Sequence, residues 1–380
     1  MRIESSFEEL EIQKTVRKFA REEVLPHSRE IDKTGKLSDD LDEKFRSLGL
    51  LKTLFPEQYG GVNGTFTGFI IALKELSYAS LIPPWSLFEN FMLAHPLFYY
   101  GSEFLKERYL APIIRLDTIG AFAFTEPDTG SDPAQLKTVA KKVDGGYLLN
   151  GSKRFITNSG ICDHLVVFAR TDDTVTGFLV ESKNSGYKVG TRESFIQGYN
   201  FDNGDLYLED YFVPDDHVIG REGQGFEILL MTEMVGKVAF CALFAGMAER
   251  AVDLAVHYAG TKSHRGKTIG HRFQMTQVKL ARMFSKLQAI DACLFNVSAK
   301  IERNEDIFRD AASLKIFVAQ EIKEITCDAM EVHGAYGLSE EYAIGSLYQT
   351  AISAQVVMGS LDIQRVIVAK GLLEKAGRRI

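Results

Sequence analysis

Two short stretches concentrate residue types that hold polar ligands. In Ala121-Phe-Ala-Phe-Thr-Glu-Pro-Asp-Thr-Gly-Ser-Asp132 an apolar run ends in a dense turn. Pro127 fixes one φ angle, Gly130 permits a positive one, and Thr125, Ser131 and Asp132 supply polar groups. Such a loop aims backbone N–H groups and hydroxyls at a ligand without committing a charge to it. The second stretch, Asn150-Gly-Ser-Lys-Arg-Phe-Ile-Thr-Asn158, puts an Asn-Gly turn signal next to a lysine, an aromatic ring and a hydroxyl. Read alone it is a hairpin. A third stretch, residues 259–273, gathers His264, Arg265, Lys267, His271 and Arg272 among glycines and reads as a basic loop. No metal site is expected.

The first stretch resembles the signature of the acyl-CoA dehydrogenase family, A-F-x-x-T-E-P-x-x-G-S-D, at all eight fixed positions. The second resembles that family's N-G-x-K-x-[WF]-I-T-N, and Asp362-Ile-Gln-Arg365 with Val366 to Lys370 matches its ending, x-I-Q-R-x-x-I-A. The resemblance implies a bound FAD and an acyl-CoA substrate. By it, Thr125 meets the flavin pyrimidine edge, Phe155 covers the isoalloxazine ring and Thr157 hydrogen-bonds flavin N5. Ser131 lies toward the CoA pantetheine or phosphate end, and Lys237 joins the substrate side. Ser360 and Asp362 join the cofactor contacts. Glu331-Val-His-Gly-Ala-Tyr-Gly-Leu338 resembles the family's Q-x-x-G-G-x-G-[YF], so Gly334 approaches the FAD of a neighbouring subunit. Glu331 and Ala335 depart from that pattern, and a glutamate facing a pyrophosphate is repulsive. Ser263 stands where the family has an arginine for a neighbour's FAD phosphates; Arg265 is the candidate substitute, with Lys267 the alternative.

One departure concerns the reaction itself. The family's α-proton base is a glutamate just before the I-Q-R segment, where this chain has Met358 in Val356-Val-Met-Gly-Ser360. Some relatives carry the base on the first long helix of the bundle, at the position of Gly236 here. Neither residue takes a proton, and loss of a general base commonly costs ~10²–10⁴-fold. The helix from Trp85 to His95 corresponds to a wall of the family's acyl pocket, with Trp85, Phe88 and Met92 toward the acyl group. Glu89 lies one residue from that face. A carboxylate in an apolar wall has a raised pKa and suits base work, so Glu89 is the first candidate for a relocated base. Glu233, one turn before Gly236, is the second, and His95 is read as structural. A displaced base suits a cyclic or already unsaturated acyl-CoA, where proton and hydride leave from vinylogous positions. The alternatives are a flavin enzyme acting on a carrier-bound or non-thioester substrate, and a non-catalytic FAD-binding homologue. The resemblance further implies an electron-transfer flavoprotein as electron acceptor and a homotetramer.

These residues need a scaffold, and the apolar periodicity supplies one. Residues 1–120 read as helical, with helices within 6–57, at about 65–80 and from Trp85 to about Leu116. Asp39 and Asp40 are candidate caps, and Pro83 and Pro84 break the middle stretch. Residues 121–225 carry short apolar or alternating runs at 147–157, 164–169, 177–180 and 204–209, with a hairpin signal at Asp144-Gly-Gly146. They predict an antiparallel β-barrel or sandwich. Residues 226–380 hold four long helical patterns, 226–258, 274–303, 306–333 and 341–376, enough for a four-helix bundle. The fold class is α+β in that order, and the resemblance covers nearly the whole chain. The 380 residues carry a net charge of −7, which argues against a nucleic-acid partner. No apolar run reads as a membrane span, and the N-terminus is too acidic for a secretory signal. The four separated cysteines read as reduced, buried thiols. A cytoplasmic location is the default expectation.

Overall fold

The computed structural model describes residues 6–131 and 135–377. The N-terminal helices are α1 (Phe7–Lys18), α2 (Ser28–Thr34), α3 (Asp39–Ser47), α4 (Phe66–Ala79) and α5 (Ile82–Tyr100). Two short turns, α6 (Glu103–Leu105) and α7 (Ala111–Ile114), follow. Local chemistry sets their starts. Ser6 and Glu9 form a reciprocal capping box on α1. The Thr65 hydroxyl accepts from the Gly68 N–H at 2.9 Å to begin α4. Ser38, not the expected Asp39 or Asp40, takes the N-cap position of α3, and the two aspartates lie in its first turn. Pro83 and Pro84 do not lie in a break. They occupy the first turn of α5, where the missing N–H groups cost nothing. The helical pattern beyond Trp85 is interrupted at Gly101, whose backbone is extended.

The middle strands are β1 (Gly120–Ala123), β2 (Val139–Val143), β3 (Gly146–Thr157), β4 (His164–Thr171), β5 (Thr174–Glu181), β6 (Tyr187–Arg192), β7 (Asn203–Pro214) and β8 (Val218–Ile219). They form one sheet in the order β6-β7-β3-β2-β4-β5-β8, with β1 beside β4. Most pairs are antiparallel, but β1 and β2 run parallel to β4. The Asp144-Gly145 turn joins β2 to β3, with Gly145 at φ +75°. The β3–β7 register slips between Lys153 and Ile156, and that bulge shapes the site below.

The C-terminal region comprises α8 (Gly225–Thr261), the hairpin β9 (Ser263–His264) and β10 (Lys267–Thr268), α9 (Ile269–Arg272), α10 (Gln274–Glu302), α11 (Phe308–His333), α12 (Ile344–Ser353) and α13 (Leu361–Gly377). The expected fourth helix is therefore two, split at 354–360. Met358 (φ +56°) and Gly359 (φ +83°) adopt left-handed backbone there and stop the helix. By length and composition α8 is long and apolar enough to span a membrane, contrary to the expectation from sequence. Most of its apolar window is buried, against α4, α5, α10 and α11, which makes it the core helix of the bundle. Of the cysteines, Cys162 and Cys241 are buried, Cys327 is half-buried and Cys293 is exposed.

Candidate active site

The Thr125 loop is locked to β3 by a buried ion pair. The Lys153 ammonium donates to Glu126 Oε1 at 2.8 Å, to the Phe168 carbonyl at 2.6 Å and to the Phe124 carbonyl at 3.2 Å. Glu126 also accepts from the Thr138 hydroxyl at 2.6 Å and from the backbone N–H groups of Thr138 (3.0 Å) and Lys137 (2.6 Å). Every hydrogen of the ammonium is used, the condition under which a buried pair is tolerated. Burial lowers Lys153 to about 8 against the attraction of Glu126, so the lysine stays charged at neutral pH. Burial also opposes the Glu126 charge, yet Lys153 and the Thr138 and Lys137 bonds hold its carboxyl below the ordinary range. The Arg154 N–H adds a bond to the Thr125 carbonyl at 2.8 Å. Thr125 is half-buried and Ser131 exposed. Asp132 lies outside the described residues.

The bulge in β3 aims Phe155 outward. Its φ is +59°, rare for a bulky residue, and the ring is 49% exposed. Such a conformation costs on the order of 1–3 kcal/mol and persists only where neighbours impose it. Asn203 imposes it, its side-chain amide donating to the Phe155 carbonyl at 3.2 Å and to the Thr157 hydroxyl at 3.3 Å. Asn203 Oδ1 is buried and has no hydrogen-bond partner. Thr125, Phe155 and Thr157 thus belong to one shelf, on which the half-exposed Phe155 ring is flanked by the Arg154 guanidinium at 5.0 Å and by Phe195 at 6.2 Å.

Helix α5 stands against this shelf. Asn90, buried on α5, accepts from the Gly120 N–H at 2.7 Å and donates to the carbonyls of Ile113 (3.0 Å) and Thr118 (2.8 Å). That clamp fixes the adjacent Glu89 relative to β1. Glu89 is not on a solvated face; it is only 7% exposed. Its Oε1 accepts from the Trp85 indole N–H at 3.1 Å. Burial pushes its carboxyl from 4.5 up to about 8, although hydrogen bonds from Trp85 and Thr157 favour the charged form. Trp85, Phe88 and Met92 are buried on the same helix. His95 is also buried, 3.3 Å from the Thr232 hydroxyl, and burial lowers it to about 4.

Met358 and Gly236 come together although 122 positions separate them in sequence. A Cβ built on Gly236 would lie 2.6 Å from Met92 Sδ and 3.1 Å from Met358 Cε. Two thioethers therefore fill the space around Gly236, and neither ionises. The Lys315 ammonium, buried and lowered to about 8 by that burial, donates to the carbonyls of Val357 (2.7 Å) and Gly359 (2.9 Å) and pins the Met358 turn. Glu233 and Lys237 form an i,i+4 ion pair at 2.9 Å. That pair uses one of the three hydrogens of the buried Lys237 ammonium.

The remaining candidates sit on the bundle. Arg265 (φ +49°) is exposed at the tip of the β9–β10 hairpin, which packs on α8 and α9. Gly334 (φ +60°) ends α11, with open space where a side chain would be. Ser360 and Asp362 begin α13, and Asp362 pairs with Arg365 at 2.7 Å. Glu331 is not an uncompensated charge, because Lys279 pairs with it. Sequence reasoning missed Glu126, Lys315 and Asn203 as positioning groups. Lys153 stood inside a quoted motif, but its polar neighbours Ser152 and Arg154 gave no sign that it is buried.

Three family profiles match successive parts of the chain: the acyl-CoA dehydrogenase N-terminal domain over residues 6–117, the middle domain over 121–211 and the C-terminal domain over 223–373. The 3-(aryl)acrylate reductase of Clostridium sporogenes is 33% identical over 369 residues, covering 96% of this chain and 98% of that protein. The structure of butyryl-CoA dehydrogenase from Megasphaera elsdenii superposes with a TM-score of 0.94 at 30% identity, covering 98% of this chain and 100% of that one. PigA bound to FAD and proline superposes with a TM-score of 0.93 at 27% identity, covering 98% of this chain and 99% of that one.

Proposed function

Because this chain belongs to the acyl-CoA dehydrogenase family, a family of FAD-dependent oxidoreductases acting on CH–CH donors, we propose that it desaturates a cyclic or already unsaturated acyl-CoA with Glu89 as a relocated base. The observation that carries this reading is a juxtaposition. The side chains nearest Gly236 are those of Met92 and Met358, while the buried Glu89 carboxyl, raised to about 8, stands three residues before Met92 on α5. Three residues advance a helix by about 4.5 Å. A base so displaced serves a carbon beyond Cα.

The shelf suits FAD. Phe155 offers a half-exposed ring held in a strained conformation, Thr125 and Thr157 offer hydroxyls on the same shelf, and Asn203 Oδ1 is buried without a partner. When bound, FAD supplies the hydride acceptor. Thr125, Phe155 and Thr157 would hold it, with Ser360 and Asp362 nearby and Arg265 and Gly334 reaching a neighbouring chain's FAD within a homotetramer. The ionised form of Glu89 accepts the substrate proton; because burial raises its carboxyl to about 8, that form gains population as pH rises through that value, and it is a stronger base than an ordinary carboxylate. The Trp85 indole N–H orients its carboxylate. Trp85, Phe88 and Met92 exclude water from the acyl group, with Met358 closing the side toward Cα and Ser131 lying toward the CoA end. Electrons pass on to an electron-transfer flavoprotein.

Anaerobic bleaching of bound FAD tests the reading. Alicyclic or already unsaturated acyl-CoAs should bleach it, and butyryl-CoA and octanoyl-CoA should do so slowly. Fast bleaching by either saturated thioester overturns the relocated base. Bleaching by no acyl-CoA moves the function to a carrier-bound or non-thioester substrate.

A further inference from the structure

Residues 193–202 join β6 to β7 without regular structure, yet they are tied to two different parts of the protein, through Asn200 and through Gly198. The Asn200 N–H donates to the Asp32 carbonyl at 2.9 Å, and its side-chain amide donates to the Lys33 carbonyl at 3.1 Å. Gly35 (φ +72°) lies so close that a Cβ there would sit 1.9 Å from the Asn200 carbonyl oxygen. On the bundle side the Gly198 N–H donates to the Thr350 hydroxyl at 3.2 Å. A Cβ on Gly198 would sit 1.6 Å from Ser346 Oγ. Only glycine allows either approach, and the hydrogen bonds of Asn200 and Gly198 hold the segment against the N-terminal helices and α12.

Tyr199 lies between these anchors, and Phe201, directly after Asn200, lies against Trp85 with ring centroids 4.5 Å apart. Tyr199 backs Phe201 at 6.2 Å, nearly parallel to it, and is itself buried. On its other side Trp85 meets Phe240 at 6.1 Å. A wall rejects an oversized ligand only if it cannot move, and close-packed rings on a chain tied at two places meet that condition.

We infer that this strap is the specificity-determining wall of the acyl site: Phe201, held by Tyr199 and the Gly198 and Asn200 anchors, closes the pocket behind Trp85 and restricts it to compact acyl groups. The inference rests on the reading of α5 as the acyl wall. It makes Phe201 a specificity residue rather than a catalytic one. A hydrophobic pocket discriminates by about 10- to 200-fold per misfitting methylene-sized group, and the strap should contribute an effect of that order.

The test is equilibrium binding, which is independent of where the base stands. Dissociation constants for cyclohexanecarbonyl-CoA and octanoyl-CoA are read from the visible spectrum of bound FAD in the holoenzyme. In the unaltered protein the cyclic thioester should bind at least about 10-fold more tightly. Phe201→Ala should erase that preference, and Phe201→Leu should reduce it if the alanine variant does not hold FAD. Gly198→Ala should erase it with Phe201 still present, because the strap must lift from Ser346. Trp85 is the sole tryptophan, so its emission should shift to the red in each variant. A red-shifted emission with an unchanged binding ratio overturns the inference, as does equal binding of the two thioesters to the unaltered protein. Slow turnover by Glu89→Gln alone leaves it untouched and speaks only to the base.

Discussion

Glu89→Gln should make the protein more stable above neutral pH, a direction opposite to that of most core substitutions. Burial raises the Glu89 carboxyl from 4.5 to about 8 in the folded chain. The unfolded chain releases that proton near 4.5. Between about 4.5 and 8 the folded state therefore holds a proton that the unfolded state has lost. Stability contributed by the neutral acid is complete below the unfolded value and falls as pH rises toward the folded one. Over the full window the raised value corresponds to about 5 kcal/mol. Glutamine has the same shape, stays neutral at every pH and still accepts from the Trp85 indole. The two proteins should thus unfold alike near pH 5 and diverge steadily, with the variant ahead by several kcal/mol at pH 9. Other acids, Asp32 among them with its value near 7, titrate in both and cancel in the difference. The assay is paired thermal or urea unfolding of the holoproteins at unit pH intervals from 5 to 9. A difference that stays constant across that range would mean that Glu89 ionises like a surface carboxylate, and the argument from burial would fail.

Removing the Lys153 ammonium as Lys153→Met strands the Glu126 charge and should cost about 3–5 kcal/mol with loss of FAD, read by denaturation and by FAD content. The exposed Lys183–Asp163 pair, at 2.9 Å, should cost under about 1 kcal/mol when broken in the same way. Phe155→Ala should leave the fold intact but speed the release of FAD on dialysis; unchanged retention would remove the ring from the cofactor contacts. Met358→Glu should confer weak activity on saturated acyl-CoAs without restoring the turnover lost in Glu89→Gln, because it places an acid at Cα and not beyond it.

Much of this architecture is legible in the residues, for identifiable reasons. Long apolar periodicity marks α8, α10 and α11, and the alternation in β3 to β5 marks the sheet. The break at 354–360 was hidden because its residues are ordinary helix formers except Gly359; the left-handed Met358 is imposed by Lys315, forty-three positions upstream. Glu89 was found as a candidate beside the apolar wall, but that α5 is buried all round was not read. The clue lay in α5, whose span from Ile82 to Leu97 is apolar on nearly every side and leaves only Ser86 exposed. The Glu126–Lys153 pair joins two motifs that are contiguous only in the fold. The strap has no periodicity at all, and its only signal is three aromatic residues, Phe195, Tyr199 and Phe201, in a polar loop.

The central claim is that Glu89 removes the substrate proton, and the rate of anaerobic FAD reduction measures that most directly. With the best alicyclic or already unsaturated acyl-CoA, Glu89→Gln should retain FAD and bind the thioester, yet reduce FAD at least ~10²-fold more slowly than the unaltered protein. Reduction at the unaltered rate would contradict the account and pass the role to Glu233, or to chemistry without a protein base.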